Sequence, residues 1–253
     1  MGIVRKTAVV VPCFNEARRF DPQAFLGVAR AHERLHFVFV DDGSTDDTPR
    51  VLTEVCAQLP DRLTCVRLPT NSGKAEAVRQ GMARAFELGA ELAGYWDADL
   101  ATPLEHIEKF AAELARRDAS MVIGSRVKLL GHRIERRPAR HYIGRVFATM
   151  AALSLRLPVY DTQCGAKLFK VDPALRRVFA RPFELRWCFD VEILARLRTE
   201  YAADGHRDPA GEWVEYPLDR WTDVPGTKLT LRTLPGILLE LARLSRITRG
   251  GRR

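Results

Sequence analysis

Residues 93–105 read Ala-Gly-Tyr-Trp-Asp-Ala-Asp-Leu-Ala-Thr-Pro-Leu-Glu, and this stretch decides the fold. The apolar run Ala93–Trp96 is typical of a strand that is covered on both faces, as in a parallel sheet. The segment Thr102–Glu105 supplies the hydroxyl, the early proline and the carboxylate that mark the start of a helix. Two carboxylates, Asp97 and Asp99, lie between the strand and the helix. The stretch therefore predicts a strand, an acidic turn and a helix in succession.

The same alternation extends over the first half of the chain and predicts an α/β fold with a doubly wound, mostly parallel central sheet flanked by helices. The predicted strands are Thr7–Pro12, Phe37–Val40, Leu63–Leu68, Ala93–Trp96 and Met121–Gly124, and the predicted helices are 22–35, 49–59, 74–89 and 103–117. From about residue 128 the pattern changes to a basic segment (132–145), an amphipathic helix that reaches Leu157, a strand at 163–171, a helix at 190–201, a strand at 213–217 and a C-terminal helix. Ligands of such sheets bind beyond the carboxyl ends of the strands.

The composition is that of a folded protein with anionic partners. The chain has 253 residues, 46% of them hydrophobic and 28% charged, and a net charge of +8. Its five cysteines are odd in number and scattered, which argues against a disulfide framework and for a reducing compartment. No secretory signal peptide is evident, and no stretch has the roughly 20 apolar residues that cross a bilayer. We therefore expect a cytoplasmic protein, with the cytoplasmic face of a membrane as the other location that stays open.

Three polar clusters come at the ends of predicted strands: Pro12–Glu16, Asp41–Asp46 and Asp97–Asp99. Because the carboxyl ends of parallel strands share one edge of the sheet, these clusters should converge there. Asp97 and Asp99 could both reach a hard cation such as Mg²⁺ or Mn²⁺, which takes oxygen ligands. Taken alone, the same two residues could form an exposed turn; their place between a strand and a helix favours the metal site.

Two further motifs have both a ligand-binding and a purely local reading. Asp41–Ser44 could accept hydrogen bonds from a base or a ribose, or could be a simple Asp-Gly turn. Asn71–Lys74 opens a helix, where backbone N–H groups and a lysine suit a phosphate, or it could only cap that helix.

Taken together and in register over about 90 residues, Pro12–Glu16, Val40–Ser44, Asn71–Lys74 and Asp97–Asp99 resemble the inverting GT-A glycosyltransferases of family 2. Asp161–Lys167 and Trp187–Glu192 make the chain similar to the dolichyl-phosphate β-glucosyltransferases within that superfamily, more than to the mannosyl branch. The resemblance covers residues 7 to about 230. It implies a GT-A, Rossmann-like nucleotide-diphospho-sugar transferase fold and a divalent metal, Mg²⁺ or Mn²⁺.

The resemblance also implies a role for each matching residue. Asp99 is implied as the main metal ligand, with Asp97 beside it, and Arg126 and Arg140 as the residues that hold phosphates of donor or acceptor. Where many mannosyl relatives have Gln or His as an extra metal ligand, this chain has Ala101, so metal binding would depend on Asp99, the diphosphate and water. The nucleotide site is implied to consist of Pro12, Phe14, Glu16, Val40, Asp42, Lys74, Asp97 and Ala98, with Lys228 closing over the phosphates.

The predicted reaction is a single in-line displacement that moves a hexose from a nucleoside-diphosphate sugar; the resemblance favours UDP-glucose as the donor, with GDP-mannose next. A polyprenyl-phosphate acceptor needs no general base, because a phosphate is mostly dianionic at pH 7. An alcohol acceptor needs one, and Asp190 is the candidate; it could equally be a helix N-terminal residue favoured by the helix dipole. The arginines of the basic segment could grip phosphate or form a solvated face; they are Arg133, Arg136, Arg137, Arg140 and Arg145. The helix after this segment could rest on lipid or on the protein's own core.

The chain is expected to form one GT-A domain, with residues 1–127 as the nucleotide-sugar-binding half and 128–253 as the acceptor-binding half. A dehydrogenase is excluded because no Gly-x-Gly-x-x-Gly follows the first strand, and a nucleotidyltransferase because no Gly-rich phosphate loop does. The closer alternative is a soluble family 2 enzyme that acts on a small alcohol or phosphorylated metabolite. A basic polyanion-binding module without catalysis would explain the net charge but not three acidic clusters, and no nucleic-acid partner is expected.

Overall fold

The computed structural model describes residues 2–135, 138–155, 157–205 and 209–222, together with residues 236, 240 and 243. For residues 138–146, 209 and 210 the description covers the backbone alone.

Strands and helices alternate through the first half, as predicted. The strands are β1 (Thr7–Cys13), β2 (Leu35–Asp41), β3 (Leu63–Arg67), β4 (Leu92–Trp96), β5 (Met121–Ser125), β6 (Arg133–Glu135), β7 (Ala166–Lys170), β8 (Trp213–Pro217) and β9 (Arg220–Thr222). The α-helices are α1 (Pro22–Ala31), α2 (Thr48–Gln58), α3 (Lys74–Glu87), α4 (His106–Arg117), α5 (Pro138–Leu155), α6 (Pro173–Ala180) and α7 (Phe189–Ala203), and a 3₁₀ turn covers Pro209–Glu212.

A seven-stranded sheet in the order β3-β2-β1-β4-β7-β5-β8 forms the centre of the molecule. All of its neighbouring pairs are parallel except those of β7, which runs antiparallel to both β4 and β5. The mostly parallel sheet flanked by helices is therefore confirmed. Strands β7 and β8 come from the second half of the chain and extend the same sheet, and β6 and β9 pair separately in parallel.

Local chemistry explains where the helices begin. Asp21 precedes Pro22, and its Oδ1 accepts hydrogen bonds from the N–H groups of Gln23 (3.0 Å) and Ala24 (3.1 Å), which caps α1. The predicted helix 103–117 begins later, at His106, so the expected Thr102 cap is wrong. The Thr102 carbonyl oxygen, which should accept the first helical hydrogen bond, instead accepts the indole N–H of Trp96 at 2.9 Å.

Close packing of α3 on the sheet depends on a glycine. A Cβ atom at Gly81 would lie 2.2 Å from Cγ1 of Val10 and 2.9 Å from Cγ2 of Val40. The helix backbone therefore touches β1 and β2 directly, which fixes the N-terminal end of α3 beside the carboxyl ends of those strands.

The cysteines were expected to form no disulfide framework, but one pair is bonded. Cys56 in α2 and Cys65 in β3 form a disulfide with their Cα atoms 6.5 Å apart, because α2 packs beside β3. Cys13, Cys164 and Cys188 are free and buried. Among the described residues, no helix combines the length and the apolar character needed to cross a bilayer.

Candidate active site

The carboxyl ends of β1, β2 and β4 lie at one edge of the central sheet. Cys13, the last residue of β1, is in register with Asp41, the last residue of β2, and Val10 of β1 is in register with Tyr95 of β4. The loops that follow these strands therefore leave the sheet together, and the convergence predicted from the three polar clusters is confirmed.

Hydrogen bonds join the loop after β1 to the loop after β2. The N–H of Asn15, a residue with φ of +56°, donates to Oγ of Ser44 at 3.0 Å. The N–H of Glu16 donates to Oγ1 of Thr48 at 2.8 Å. These bonds explain why short polar residues follow both strands: they hold the two loops against each other.

Glu16 is buried and forms an ion pair with Arg19, whose Nη2 lies 2.5 Å from Oε1 of Glu16. The hydrogen bond to Glu16 raises the pKa of Arg19, partial burial opposes the rise, and the charges of Asp99 and Asp97 add to it. Arg19 therefore lies within electrostatic reach of both carboxylates of the Asp-x-Asp motif. Arg19 was not among the residues predicted for the site.

The carboxylate of Asp42 holds the loop that opens α3. Its Oδ1 accepts the N–H of Ser72 at 2.7 Å and its Oδ2 accepts the N–H of Gly73 at 2.8 Å. Two backbone N–H groups of the predicted phosphate motif Asn71–Lys74 are thus engaged by the protein itself, and Lys74 supplies the positive charge of the motif. Gly43 is required beside Asp42, because its φ is +65° and a Cβ there would lie 2.4 Å from the carbonyl carbon of Thr70.

That lysine, Lys74, reaches the Asp-x-Asp motif. Its Nζ lies 2.5 Å from Oδ1 of Asp97 and 5.9 Å from the ring centroid of Phe189. Burial acts to lower the pKa of Lys74, but the charges of Asp97 and Asp190 outweigh it, so the pKa is raised and the side chain stays an ammonium ion. Both members of the pair remain partly exposed, 39% for Lys74 and 35% for Asp97.

Asp99 lies beside Asp97 in surroundings that favour a cation. Burial, and then the charge of Asp97, raise the pKa of Asp99. Its Oδ1 accepts the N–H of Ala101 at 3.1 Å, across Leu100, which has the unusual φ of +54° for a leucine. Two carboxylates that repel each other bind a divalent ion well because the ion removes the repulsion.

The described residues contain no group of three or more His, Cys, Asp or Glu side chains placed to hold a metal. The Asp-x-Asp motif supplies two carboxylates that could hold a divalent ion. Asp99 is the better placed ligand, because Lys74 already contacts Asp97.

Gly165 fixes the position of Asp97. The N–H of Asp97 donates to the carbonyl oxygen of Gly165 at 2.9 Å, and a Cβ at Gly165 would lie 1.8 Å from Oδ2 of Asp97. The Asp97 carboxylate thus rests directly on the backbone of the loop before β7. Gly165 belongs to the Asp161–Lys167 motif, but its contact with Asp97 could not be predicted from the sequence.

Asp190, the candidate base, is buried and its charge is already compensated. Its Oδ1 accepts a hydrogen bond from the Tyr95 hydroxyl and lies 2.5 Å from Nζ of Lys167, which is fully buried. Lys167 also donates to the carbonyl oxygen of Cys164 at 2.7 Å. Burial and the charge of Asp190 raise the pKa of Tyr95, so the tyrosine remains a hydrogen-bond donor. A base role would therefore fall to the other oxygen of Asp190, Oδ2.

Arg126, predicted to hold a phosphate, forms a two-point ion pair with Asp161. Nε and Nη2 of Arg126 lie 2.7 Å and 2.8 Å from the two carboxylate oxygens of Asp161. Asp161 raises the pKa of Arg126 although burial opposes it. The guanidinium also lies 5.4 Å from the ring centroid of Trp221. Its role in phosphate binding stays a prediction, and much of its charge is balanced within the protein.

The other predicted nucleotide residues divide by exposure. Pro12 and Phe14 are partly exposed at the end of β1 and can contact a ligand. Val40 and Ala98 are buried, at 0% and 4% exposure, and Val40 packs against Gly81. These two would contribute to a ligand site through the backbone. Of the remaining predicted residues, the Arg140 side chain and Lys228 lie outside the described residues.

Glu240 contacts this region from the distant C-terminal segment. Its carboxylate accepts the N–H groups of Arg186 (3.3 Å), Trp187 (2.9 Å) and Cys188 (3.0 Å), at the start of α7. A carboxylate is stabilised at a helix N-terminus by the free N–H groups and the dipole. No pattern in the sequence indicates this contact, because 52 or more residues separate the partners.

Known proteins with similar sequences are glycosyltransferases. The profile of the family described as "Glycosyl transferase family 2" matches residues 8–176. A dolichyl-phosphate beta-glucosyltransferase of Trichomonas vaginalis is 29% identical over 258 residues, which covers 97% of this chain and 72% of the relative. The Drosophila melanogaster dolichyl-phosphate beta-glucosyltransferase is 32% identical over 238 residues, with 88% and 69% coverage.

Among solved structures, glucosyl-3-phosphoglycerate synthase from Mycobacterium tuberculosis, in complex with Mn²⁺ and uridine-diphosphate-glucose, is similar with a TM-score of 0.59. It is 18% identical, and the match covers 96% of this chain and 76% of that one. This likeness shows the GT-A fold. The family profile covers most strands of the central sheet and the Asp-x-Asp motif. The chain therefore belongs to glycosyl transferase family 2 and is a glycosyltransferase.

Proposed function

We propose that the protein transfers glucose from UDP-glucose to a polyprenyl phosphate, with inversion at the anomeric carbon and with Mg²⁺ or Mn²⁺. The names of the relatives, at 29% and 32% identity over most of the chain, support the sugar and the acceptor. The paired carboxylates of Asp97 and Asp99 support the metal. GDP-mannose is the second donor to be tested.

The contacts of Asp190 are the observation that supports a phosphate acceptor. An alcohol acceptor must lose a proton to a base during attack. The Asp190 carboxylate, the candidate for that base, already contacts the buried ammonium group of Lys167 and accepts a hydrogen bond from the Tyr95 hydroxyl, both at Oδ1. A phosphate acceptor avoids the requirement, since its second pKa is near 6. The geometry therefore favours a phosphate nucleophile.

In the proposed reaction an oxygen of the acceptor phosphate attacks C1 of the sugar. The bond from C1 to the nucleoside diphosphate breaks, and its electron pair leaves with the diphosphate. Lys74 offers an ammonium ion to the departing diphosphate, and Asp99 with Asp97 would hold the divalent ion. A bound divalent ion would supply charge neutralisation of the leaving group. Gly165 keeps the Asp97 carboxylate in place.

A donor panel tests the proposal. Purified protein is incubated with UDP-glucose or GDP-mannose and Mg²⁺ or Mn²⁺, with and without a polyprenyl phosphate, and the product is identified by mass. We expect a glucosylated polyprenyl phosphate, formed from UDP-glucose and lost when EDTA removes the metal. Product that forms only on a small soluble alcohol or phosphorylated metabolite would contradict the acceptor, and product from GDP-mannose alone would contradict the donor.

A further inference from the structure

The segment between β5 and β6 presents two leucines to solvent on a tight turn. The N–H of His132 donates to the carbonyl oxygen of Leu129 at 3.1 Å, and Gly131 has φ of +85°. A positive φ at the third position is the signature of a type II turn, which glycine adopts without strain. The turn displays Leu130 with 102% and Leu129 with 43% relative exposure.

This turn, Leu129–His132, is held on a fixed support. A ring nitrogen of His132, Nδ1, lies 2.9 Å from the carbonyl oxygen of Leu218, and the N–H of Arg133 donates to the carbonyl oxygen of Asp219 at 2.8 Å. Strand β6, which follows the turn, pairs with β9. These hydrogen bonds hold the turn in the position that exposes the two leucines.

The turn has a basic residue on each side. Lys128 and Arg133 flank it and are exposed. Along the chain, residues 127–140 contain one acidic residue, Glu135, and five basic ones: Lys128, Arg133, Arg136, Arg137 and Arg140. The nearby carboxylate of Asp219 forms an ion pair with Lys109, so it is already engaged. Exposed apolar side chains with flanking cations are the combination that binds the interface of an anionic bilayer.

The support of the turn is also joined to the predicted metal loop. Trp221 of β9 lies under the Arg126 guanidinium, and the N–H of Thr222 donates to the carbonyl oxygen of Ala101 at 3.4 Å. Ala101 in turn donates to Asp99. The turn is therefore connected to the Asp-x-Asp motif through β6, β9 and the backbone of Ala101.

We propose that Leu129 and Leu130 insert into the headgroup region of an anionic membrane, while Lys128 and Arg133 contact the lipid phosphates. This docking rests on the proposed lipid acceptor: it brings the protein to the surface in which a polyprenyl phosphate is embedded. A single exposed leucine is common on soluble proteins; the fixed turn, the adjacent second leucine and the cations distinguish this one.

Vesicle cosedimentation tests the docking without any need for catalysis. Wild-type protein is compared with Leu130→Ser and with Val4→Ser, a matched control at another exposed apolar residue (74% exposure). On vesicles that contain phosphatidylserine, we expect Leu130→Ser to bind about tenfold more weakly, as loss of one inserted leucine predicts. Val4→Ser should bind like the wild type, and vesicles of phosphatidylcholine alone should bind all three proteins more weakly.

Leu153→Ser tests whether a different exposed apolar surface, on α5, binds the vesicles instead of the turn. Leu153 is 73% exposed on α5 and lines an apolar groove of about 600 Å³ with Ala152 and Leu157. If Leu153→Ser abolishes vesicle binding while Leu130→Ser does not, the assignment to the turn is wrong. Equal binding of the wild type and Leu130→Ser to anionic vesicles would overturn it as well.

A fluorescent variant and two acceptors keep docking and catalysis apart. On adding anionic vesicles, Leu130→Trp should show a larger blue shift of its emission than the wild type, which has four tryptophans of its own. A shift no larger than that of the wild type contradicts insertion. In transfer assays, Leu130→Ser should lose turnover on a long-chain acceptor embedded in vesicles and keep it on a short-chain prenyl phosphate in solution. If the wild type glucosylates neither acceptor, the proposed function fails, while the cosedimentation result still decides the docking.

Discussion

One methyl group at residue 165 tests whether the position of Asp97 sets the rate of transfer. An alanine Cβ would lie 1.8 Å from Oδ2 and 2.2 Å from Cγ of Asp97. Nonbonded contacts of this kind settle near 3.5 Å, so the carboxylate must retreat by roughly 1.5 Å. A shift of about 1 Å in a catalytic group can cost about a hundredfold in rate. We therefore expect Gly165→Ala to lower kcat about a hundredfold.

The effect on stability should be smaller than the effect on rate, because the methyl group meets a side chain that can rotate. Overpacking of this kind costs about 1–3 kcal/mol. Gly94→Ala is the contrasting variant, since its Cβ would lie 2.0 Å from the backbone carbonyl oxygen of Lys167 in the β4–β7 ladder. Gly94→Ala should therefore lower the stability of the protein more than Gly165→Ala does. Gly27→Ala in α1 is the control, because no heavy atom lies within 4 Å of its Cβ.

The assay combines steady-state transfer with thermal unfolding in a double-mutant cycle. An Asp97→Ala background removes the three carboxyl-group atoms that lie nearest to the Cβ at residue 165. There, Gly165→Ala should cost no stability and reduce the residual rate no further. An equal drop in Tm in both backgrounds, or a normal kcat in the single Gly165→Ala variant, would refute the reasoning.

Three further predictions concern the charged groups. Asp99→Ala should abolish transfer and metal-dependent nucleotide binding with the fold intact, judged by calorimetry and circular dichroism, whereas alanine at exposed Asp47 should leave both unchanged. The charge of Asp97 raises the pKa of Asp99, so activity should fall as pH drops through that pKa, and Asp97→Asn should move the acid limb of the residual activity to lower pH; an unmoved limb would count against the coupling. Asp190→Asn should lower the stability by about 3–5 kcal/mol, because Lys167 would be left buried without its counter-charge. An unchanged Tm in that variant would show that the pair does not form.

The alternation of strands and helices could be read from the sequence because each signal is local. Continuous apolar runs such as Thr7–Pro12 specify strands that are covered on both faces. The polar residues after each run mark the strand ends, and parallel topology then brings those ends together. This is why Glu16, Asp42 and Asp97 could be assigned to one edge before any coordinates were known.

The position of β7 could not be read in the same way. Ala166–Lys170 is a short apolar strand like the others, and nothing in its own residues says that it runs antiparallel between β4 and β5. Strand order is decided by long-range packing. In this case two glycines permit it: Gly94 lets β7 approach β4, and Gly165 lets the preceding loop approach Asp97. The glycines were visible in the sequence, but their partners were not.

The charge that remains available at the edge of the sheet also depends on long-range pairing. Arg126 and Asp190 looked like a phosphate ligand and a base, yet their partners, Asp161 and Lys167, lie 35 and 23 residues away. Among 40 Lys and Arg and 32 Asp and Glu, sequence alone cannot say which charges cancel. Desolvated pairs are held firmly, because separating them leaves a buried charge.

Lys74 and Asp97 differ from those two pairs because each keeps more than a third of its side chain exposed. Water screens their attraction, so separating them costs little compared with separating a buried pair. An incoming diphosphate can therefore compete with Asp97 for the ammonium ion of Lys74. Arg126 and Asp190 cannot change partners at so small a cost. This difference in burial is the physical reason to predict diphosphate binding at the edge formed by Lys74, Asp97 and Asp99, while phosphate binding by Arg126 stays a prediction that would require it to part from Asp161.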